Sequence, residues 1–152
     1  MYLVDVNVLV YALHSGLPQH ATSRAWLDRN LAGRSQSVAL PWPTLLGFLR
    51  LATNPKIFPG GAISVADAWC QAQRWMDAPA AWTPVPGPRH RLLLAELIEV
   101  SRPTPKRVSD LHLAALALEN GLAVVSVDAG FVQLPGVRWV NPLGPARTPG
   151  VN

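Results

Sequence analysis

Short apolar runs alternate along the chain with longer segments in which apolar residues recur at helical spacing. The runs predict buried strands over residues 2–4, 37–40, 82–85, 123–127 and 138–140. The helical spacing predicts helices over residues 7–14, 18–31, 44–53, 64–76, 89–100 and 110–119. Because strands alternate with helices, the pattern favours the α/β fold class, as a single three-layer α/β/α domain with a central, mostly parallel sheet.

Capping residues and composition shifts set the expected ends of these elements. Ser64 and Asp67 have the spacing of a capping box, and Ser109 is the predicted N-cap of the last helix. No linker or internal repeat divides the chain, so the domain is expected to cover residues 1–143. Residues 144–152 are rich in proline and glycine and are expected to form a loose tail.

The composition favours a globular protein with an apolar interior. Of the 152 residues, 49% are hydrophobic and only 14% are charged. The net charge of +4 comes mainly from arginine, whose guanidinium group can bind phosphates and carboxylates in a bidentate fashion. Nucleic acid or an acidic protein is therefore a compatible partner.

Three features bear on the compartment in which the chain works. Cys70 is the only cysteine, which excludes a disulfide framework and a thiolate metal site and fits a reducing environment. Asp5 interrupts the first apolar run, so this run does not fit a signal peptide. No uninterrupted apolar run is long enough to cross a bilayer. The expected location is the cytoplasm, with no membrane partner.

Three aspartates are predicted at the ends of strands or helices. Asp5 and Asp128 directly follow apolar strands, and Asp110 opens a helix. Ligands collect beyond the carboxyl ends of parallel strands, and clustered carboxylates repel one another unless a cation or a proton neutralises them. Oxygen ligands favour Mg²⁺ or Mn²⁺ over zinc. The alternative is structural: Asp5 and Asp110 cap helices, and Asp128 stabilises a turn.

Five stretches of the chain carry a resemblance to a known family. They are residues 3–9, 40–55, 109–117, 125–128 and 135–143. They include the sequences Leu-Val-Asp-Val-Asn-Val-Leu, Ser-Asp-Leu-His-Leu-Ala-Ala-Leu-Ala and Val-Ser-Val-Asp. As an ordered set they resemble PIN-domain ribonucleases, and most closely the VapC toxins of bacterial toxin–antitoxin pairs, in their actinobacterial type.

The resemblance implies an endoribonuclease that depends on Mg²⁺ or Mn²⁺ and cuts RNA, commonly tRNA or rRNA. It also implies a homodimer and a cognate VapB-type antitoxin that inhibits the enzyme. Carried over by position, Asp5, Asp110 and Asp128 are the acidic residues of the metal site, and Asn7 and Ser126 lie next to it.

The chain departs from the family pattern at two positions. Gly47 stands where many PIN domains carry a glutamate, and Gly130 stands where they often carry a second acid after Asp128. Fewer negative ligands imply weaker cation binding. One alternative is therefore the same fold with an attenuated site, which binds RNA or the antitoxin without cutting. A second alternative, a phosphoryl-transfer protein with Asp5 as nucleophile, lacks the usual Asp-x-Asp pair because position 7 is asparagine.

Basic residues near the expected site are candidates for contacts with the RNA backbone. Arg50 lies on the third predicted helix, and Arg102, Lys106 and Arg107 precede Asp110. Each of them has the alternative role of an ordinary solvated surface charge.

Overall fold

A parallel sheet forms the centre of the computed structural model, which describes residues 1–144. Within this part of the chain, five strands lie in the order β3-β2-β1-β4-β5. The strands are β1 (Tyr2–Val4), β2 (Val38–Ala39), β3 (Ala81–Trp82), β4 (Ala123–Val125) and β5 (Arg138–Val140). The helices are α1 (Val6–Leu13), α2 (His20–Leu31), α3 (Trp42–Ala52), α4 (Val65–Met76), α5 (His90–Ser101) and α6 (Val108–Glu119), with 3₁₀ turns over Pro105–Arg107 and Ala129–Gln133.

Helices cover both faces of the sheet, which makes three layers. Leu3 of β1 belongs to the same buried core as Leu97 of α5 and Leu116 of α6. Val4, the next residue, belongs to a second core with Phe48 of α3. Successive side chains of a strand point to opposite faces, so both faces of the sheet are covered at β1, and the central strands β1, β2 and β4 are short, continuous apolar runs. The predicted three-layer α/β architecture is confirmed.

The first strand of the chain lies in the middle of the sheet. β1 pairs in parallel with β2 on one side, where Leu3 is opposite Ala39, and with β4 on the other, where Leu3 is opposite Val124. The carboxyl ends of β1 and β4 therefore lie side by side, although they are far apart in sequence. This arrangement brings Asp5 close to the segment that follows Val125.

The start of α6 differs from the prediction. The helix begins at Val108, and Ser109, the predicted N-cap, lies inside it. The prediction for Ser109 is wrong because the 3₁₀ turn over Pro105–Arg107 runs directly into the helix, so that no capping side chain is needed. By contrast, the cap predicted at Ser64 is confirmed, since its Oγ accepts a hydrogen bond from an N–H of the first turn of α4.

Two further predictions concern the tail and membranes. Apart from Gly144, the stretch expected to be a loose tail lies outside the described residues. In the part of the chain that the structure describes, no helix has the length and apolar character needed to span a membrane.

One buried hydrogen bond fixes α3 against the end of β1. Thr44 is only 2% exposed, and its hydroxyl donates to the backbone carbonyl of Val4 over 2.9 Å. Because Val4 directly precedes Asp5, this bond helps to position the end of the strand at which the candidate site begins.

We expect the substitution Thr44→Val to lower the free energy of unfolding by about 1–2 kcal/mol, because it removes the only side-chain donor of this bond at nearly constant volume. The matched control is Thr53→Val, where the lost hydroxyl bonds only to the Leu49 carbonyl one helical turn away. The control should change stability by less than about 0.5 kcal/mol. Urea unfolding of the three proteins makes the comparison, and equal effects at both positions would contradict it.

Candidate active site

Asp5 is a helix cap and a buried acid at the same time. Its backbone N–H continues the sheet by donating to the Val125 carbonyl over 3.0 Å, and its Oδ1 accepts from the Val6 N–H over 2.7 Å at the start of α1. The residue is only 6% exposed. The capping role considered for Asp5 from its sequence context is therefore present, and it fixes the orientation of the carboxylate.

The second oxygen of Asp5 is held by two side chains. Ser126 donates its hydroxyl to Asp5 Oδ2 over 2.7 Å, and Asn7 donates from Nδ2 to the same atom over 2.7 Å. Asn7 Nδ2 also donates to Ser126 Oγ over 2.9 Å. Asn7 and Ser126, predicted to lie next to the site, thus join Asp5 in one hydrogen-bonded group.

Ser126 is fully buried at the end of β4 and connects this group to the next loop. Its Oγ accepts from the Asp128 N–H over 3.0 Å, and its carbonyl accepts from the Trp139 indole N–H over 2.9 Å. The N–H of Val127 also donates to Asn7 Oδ1 over 3.3 Å. Asp128 is therefore positioned by the same residues that hold Asp5.

Asp110 and Asp128 share one basic partner. Asp110 lies in the first turn of α6, where the helix dipole favours a negative charge. Arg107 Nε lies 3.0 Å from Asp110 Oδ2, and Arg107 Nη1 lies 4.0 Å from Asp128 Oδ1. Asp128 Oδ1 also accepts from the Gly130 N–H over 2.7 Å. The side chain of Asp110 is 21% exposed and that of Asp128 is 49% exposed, so both can be reached from solvent.

The three carboxylates influence one another electrostatically. Burial raises the pKa of Asp5, the hydrogen bond from Ser126 opposes this shift, and the charge of Asp128 adds to it. Burial also raises the pKa of Asp110, Arg107 counteracts that effect, and the charges of Asp5 and Asp128 reinforce it. The fold has therefore brought together negative charges that a bound cation would stabilise.

The chemistry of the three carboxylates suits a hard cation, but the positions of their side chains do not yet form a binding site for one. Carboxylate oxygens are the ligands that Mg²⁺ and Mn²⁺ prefer. Among residues 1–144, however, no group of three or more His, Cys, Asp or Glu side chains is placed so that it could hold a metal ion. A cation that uses Asp5, Asp110 and Asp128 together therefore requires side-chain movement, first of all around Arg107.

The remaining predicted positions divide into two kinds. Gly47 is close to the site, because a Cβ added there would lie 3.2 Å from Cγ2 of Val6, the residue after Asp5. Arg50 is exposed in the last turn of α3, and within residues 1–144 no hydrogen bond or ion pair joins it to the acidic group.

The sequence does not predict the pairing of Arg107 with the acids and indicates this residue only as a candidate contact for the RNA backbone or a solvated charge. A partial signal was available, because residues spaced by three on a helical segment are neighbours, as Arg107 and Asp110 are. Its proximity to Asp128 depends on the fold and could not be read from spacing.

Fold and site together define a class: a three-layer α/β domain with an acidic group at the carboxyl edge of its parallel sheet. The sequence model of the PIN domain matches residues 2–137. The chain belongs to the PIN domain family. It is 40% identical to the VapC ribonuclease Mb2897 of Mycobacterium bovis over 143 residues, and this alignment covers 94% of this chain and 96% of that protein. It is 39% identical over 142 residues to ribonuclease VapC37 of Mycobacterium tuberculosis, covering 93% and 97%.

Solved structures share the fold at lower sequence identity. VapBC2 from Rickettsia felis, bound to a DNA fragment from its promoter, aligns with a TM-score of 0.66 and 14% identity over 92% of this chain and 97% of that chain. FitAcB from Neisseria gonorrhoeae aligns with a TM-score of 0.60 and 22% identity over 93% and 98%. The predicted PIN-like fold and the resemblance to VapC ribonucleases are confirmed.

We expect the substitution Asp5→Asn to raise the melting temperature at neutral pH when metal is removed with EDTA. Burial raises the pKa of Asp5, so ionisation of this group costs stability above its raised pKa, and the cost disappears as the pH falls towards about 4. The gain of the variant over the parent should therefore be largest near pH 7 and shrink on acidification. Each 1 kcal/mol corresponds to about 2–4 °C in a chain of this size.

The control for this prediction is Asp77→Asn, which removes the same charge from an exposed residue at the end of α4. Because the Asp77 side chain is exposed, the melting temperature of this variant should stay close to that of the parent. A difference between Asp5→Asn and the parent that stays constant from about pH 4 to about pH 7 would contradict the assignment of a stability cost to the buried charge.

Proposed function

We propose that the chain is the toxin of a toxin–antitoxin pair and acts as a Mg²⁺- or Mn²⁺-dependent endoribonuclease. The observation that carries this proposal is the acidic group at the carboxyl edge of the sheet, in a chain 40% identical to a VapC ribonuclease over almost its whole length. Asp5, Asp110 and Asp128 would hold the cation. When bound, such an ion lowers the pKa of a water molecule and neutralises charge that develops on a phosphodiester.

The protein's own contribution is to hold the Asp5 carboxylate in a fixed orientation. Ser126 and Asn7 hold Asp5 Oδ2 in one position, and the Val6 N–H holds Oδ1, so the carboxylate has little freedom. This rigidity reduces the reorganisation needed when charge develops nearby. Asp128 is the most exposed of the three acids and faces the solvent from which RNA would approach. Arg50, exposed on α3, is a candidate contact for an RNA phosphate.

Partners follow from the same family. The 40% identity to a VapC ribonuclease supports a VapB-type antitoxin as the partner of this chain, since the resemblance to VapC toxins implies such a partner. A homodimer is supported by exposed apolar side chains on α5 and at the start of α6, since such groups often mark protein interfaces. They are Leu92, Ile98, Val100 and Val108. RNA of the tRNA or rRNA class as substrate implies the cytoplasm as the place of action.

An attenuated site that binds RNA or the antitoxin without cutting is the second candidate. It is favoured by the spacing of the acids, which do not form a ready metal site among residues 1–144, and by Gly130 in place of an acid. Incubation of the purified, antitoxin-free chain with total RNA separates the two. Discrete fragments with Mg²⁺ or Mn²⁺ and none with EDTA support the enzyme, whereas binding without fragments supports the second candidate.

We expect Asp128→Asn to reduce the rate of RNA cleavage by roughly a hundredfold, the order of effect seen when one preorganised polar group is removed from an active site. The half-exposed position of Asp128 makes it the acid whose substitution disturbs the fold least. Asp77→Asn serves as the control and should leave cleavage unchanged. Cleavage by Asp128→Asn at the parent's rate would show that Asp128 takes no part in the reaction.

We expect Ser126→Ala to reduce cleavage by about 10–100-fold through the loss of the hydroxyl that orients Asp5, with a larger effect on kcat than on KM. Ser109→Ala, on the exposed side of α6, is the matched control and should behave like the parent. Reduced kcat with a preserved circular dichroism spectrum identifies Ser126 as a positioning residue. A parallel loss of folded structure would instead indicate a purely structural role.

A further inference from the structure

Gly130 is in direct contact with the guanidinium group of Arg107. A Cβ added at Gly130 would overlap Nη1 of Arg107 and would lie 2.5 Å from its Cζ and Nη2. Any side chain at position 130 would therefore have to displace the guanidinium group. The absence of a side chain at this position gives Arg107 its place beside the acidic group.

Arg107 brings a positive charge to two of the three acids. Its distances of 3.0 Å to Asp110 and 4.0 Å to Asp128 are those of ion pairs, and its side chain is only 28% exposed. Burial and the neighbouring acids raise the pKa of the Asp110 carboxyl, and the ion pair with Arg107 opposes this shift. At this partly buried position the attraction is screened less than at the open surface.

The guanidinium group also has room to move. A cavity of about 390 Å³ adjoins Arg107 and Gly130 and is lined in addition by polar side chains, among them Ser101, Thr104 and Gln133. A guanidinium group that leaves the acids can therefore stay solvated and meet hydrogen-bond acceptors without unfolding α6.

We propose that Arg107 is a resident counter-cation of the acidic site, that Gly130 admits it, and that a divalent cation must displace it from Asp110 and Asp128. Arg107 and Gly130 thus act together to set the metal affinity of the site. This inference rests on the proposed metal-dependent function. It explains why the acids are stably held near one another although they are not spaced for direct coordination of one ion.

The first test compares Arg107→Ala with Lys106→Ala, which removes the same charge from the exposed neighbouring residue. Calorimetric titration with MnCl₂, without RNA, should show Mn²⁺ binding about tenfold tighter in Arg107→Ala, because a competing charge 3.0 Å from Asp110 and 4.0 Å from Asp128 is gone. Lys106→Ala should change the affinity by less than about twofold, since its charge is solvated. In EDTA, Arg107→Ala should melt below Lys106→Ala, and Mn²⁺ should reverse that order.

The second test displaces the guanidinium group without changing any charge. Gly130→Ala should also tighten Mn²⁺ binding, because its methyl group occupies the place of Arg107. In the Arg107→Ala background the same change should have no further effect. Gly16→Ala is the matched control, since a Cβ at Gly16 would have no neighbour within 4 Å.

The results separate this inference from the proposed function. Unchanged or weaker Mn²⁺ binding in Arg107→Ala, in a parent that binds Mn²⁺ and cleaves RNA, overturns the counter-cation and leaves the ribonuclease in place. Additive effects of Arg107→Ala and Gly130→Ala overturn the coupling between the two positions. A parent and variants that neither bind Mn²⁺ nor cleave RNA overturn the metal site and the counter-cation together.

Discussion

The hydrogen bond from Ser126 to Asp5 is the contact on which the candidate site depends. It joins the ends of β1 and β4, two strands that pair in parallel but lie at opposite ends of the chain. An aspartate that is 6% exposed is unfavourable unless its charged form is hydrogen-bonded, and Ser126, Asn7 and the Val6 N–H supply those bonds. These hydrogen bonds offset only part of the cost of burying the negative charge, since the pKa of Asp5 is still raised.

The burial cost that these hydrogen bonds leave uncompensated also depends on the neighbouring acids and on Arg107, which forms ion pairs with two of them. Asp110 and Asp128 add negative charge near Asp5, and Arg107 returns one positive charge to the group. Within residues 1–144, one guanidinium group faces these three carboxylates and cannot balance them, so this part of the site has an excess of negative charge that attracts further cations. The same excess makes the site a source of instability when no cation is bound, which is typical of sites arranged for function rather than for stability.

Much of this arrangement could be predicted from the sequence, for identifiable reasons. The central strands β1, β2 and β4 are buried, so they are visible as apolar runs, and Asp5 and Asp128 stand out because each follows such a run. The start of α6 could not be predicted from Ser109, because the preceding 3₁₀ turn replaces a cap. The contact between Arg107 and Gly130 also could not be predicted, because nothing in local spacing indicates that these positions meet.

The two glycines that replace expected acids have different physical surroundings. Gly47 is next to the apolar side chain of Val6, so the loss of an acid there leaves only a close helix–helix contact. Gly130 is next to a guanidinium group, so the loss of an acid there is accompanied by the arrival of a positive charge. Relative to a carboxylate, the change at position 130 therefore removes one negative charge and admits one positive charge. Position 130 should for this reason have the larger influence on cation affinity, although Gly47 also adjoins the residue that follows Asp5.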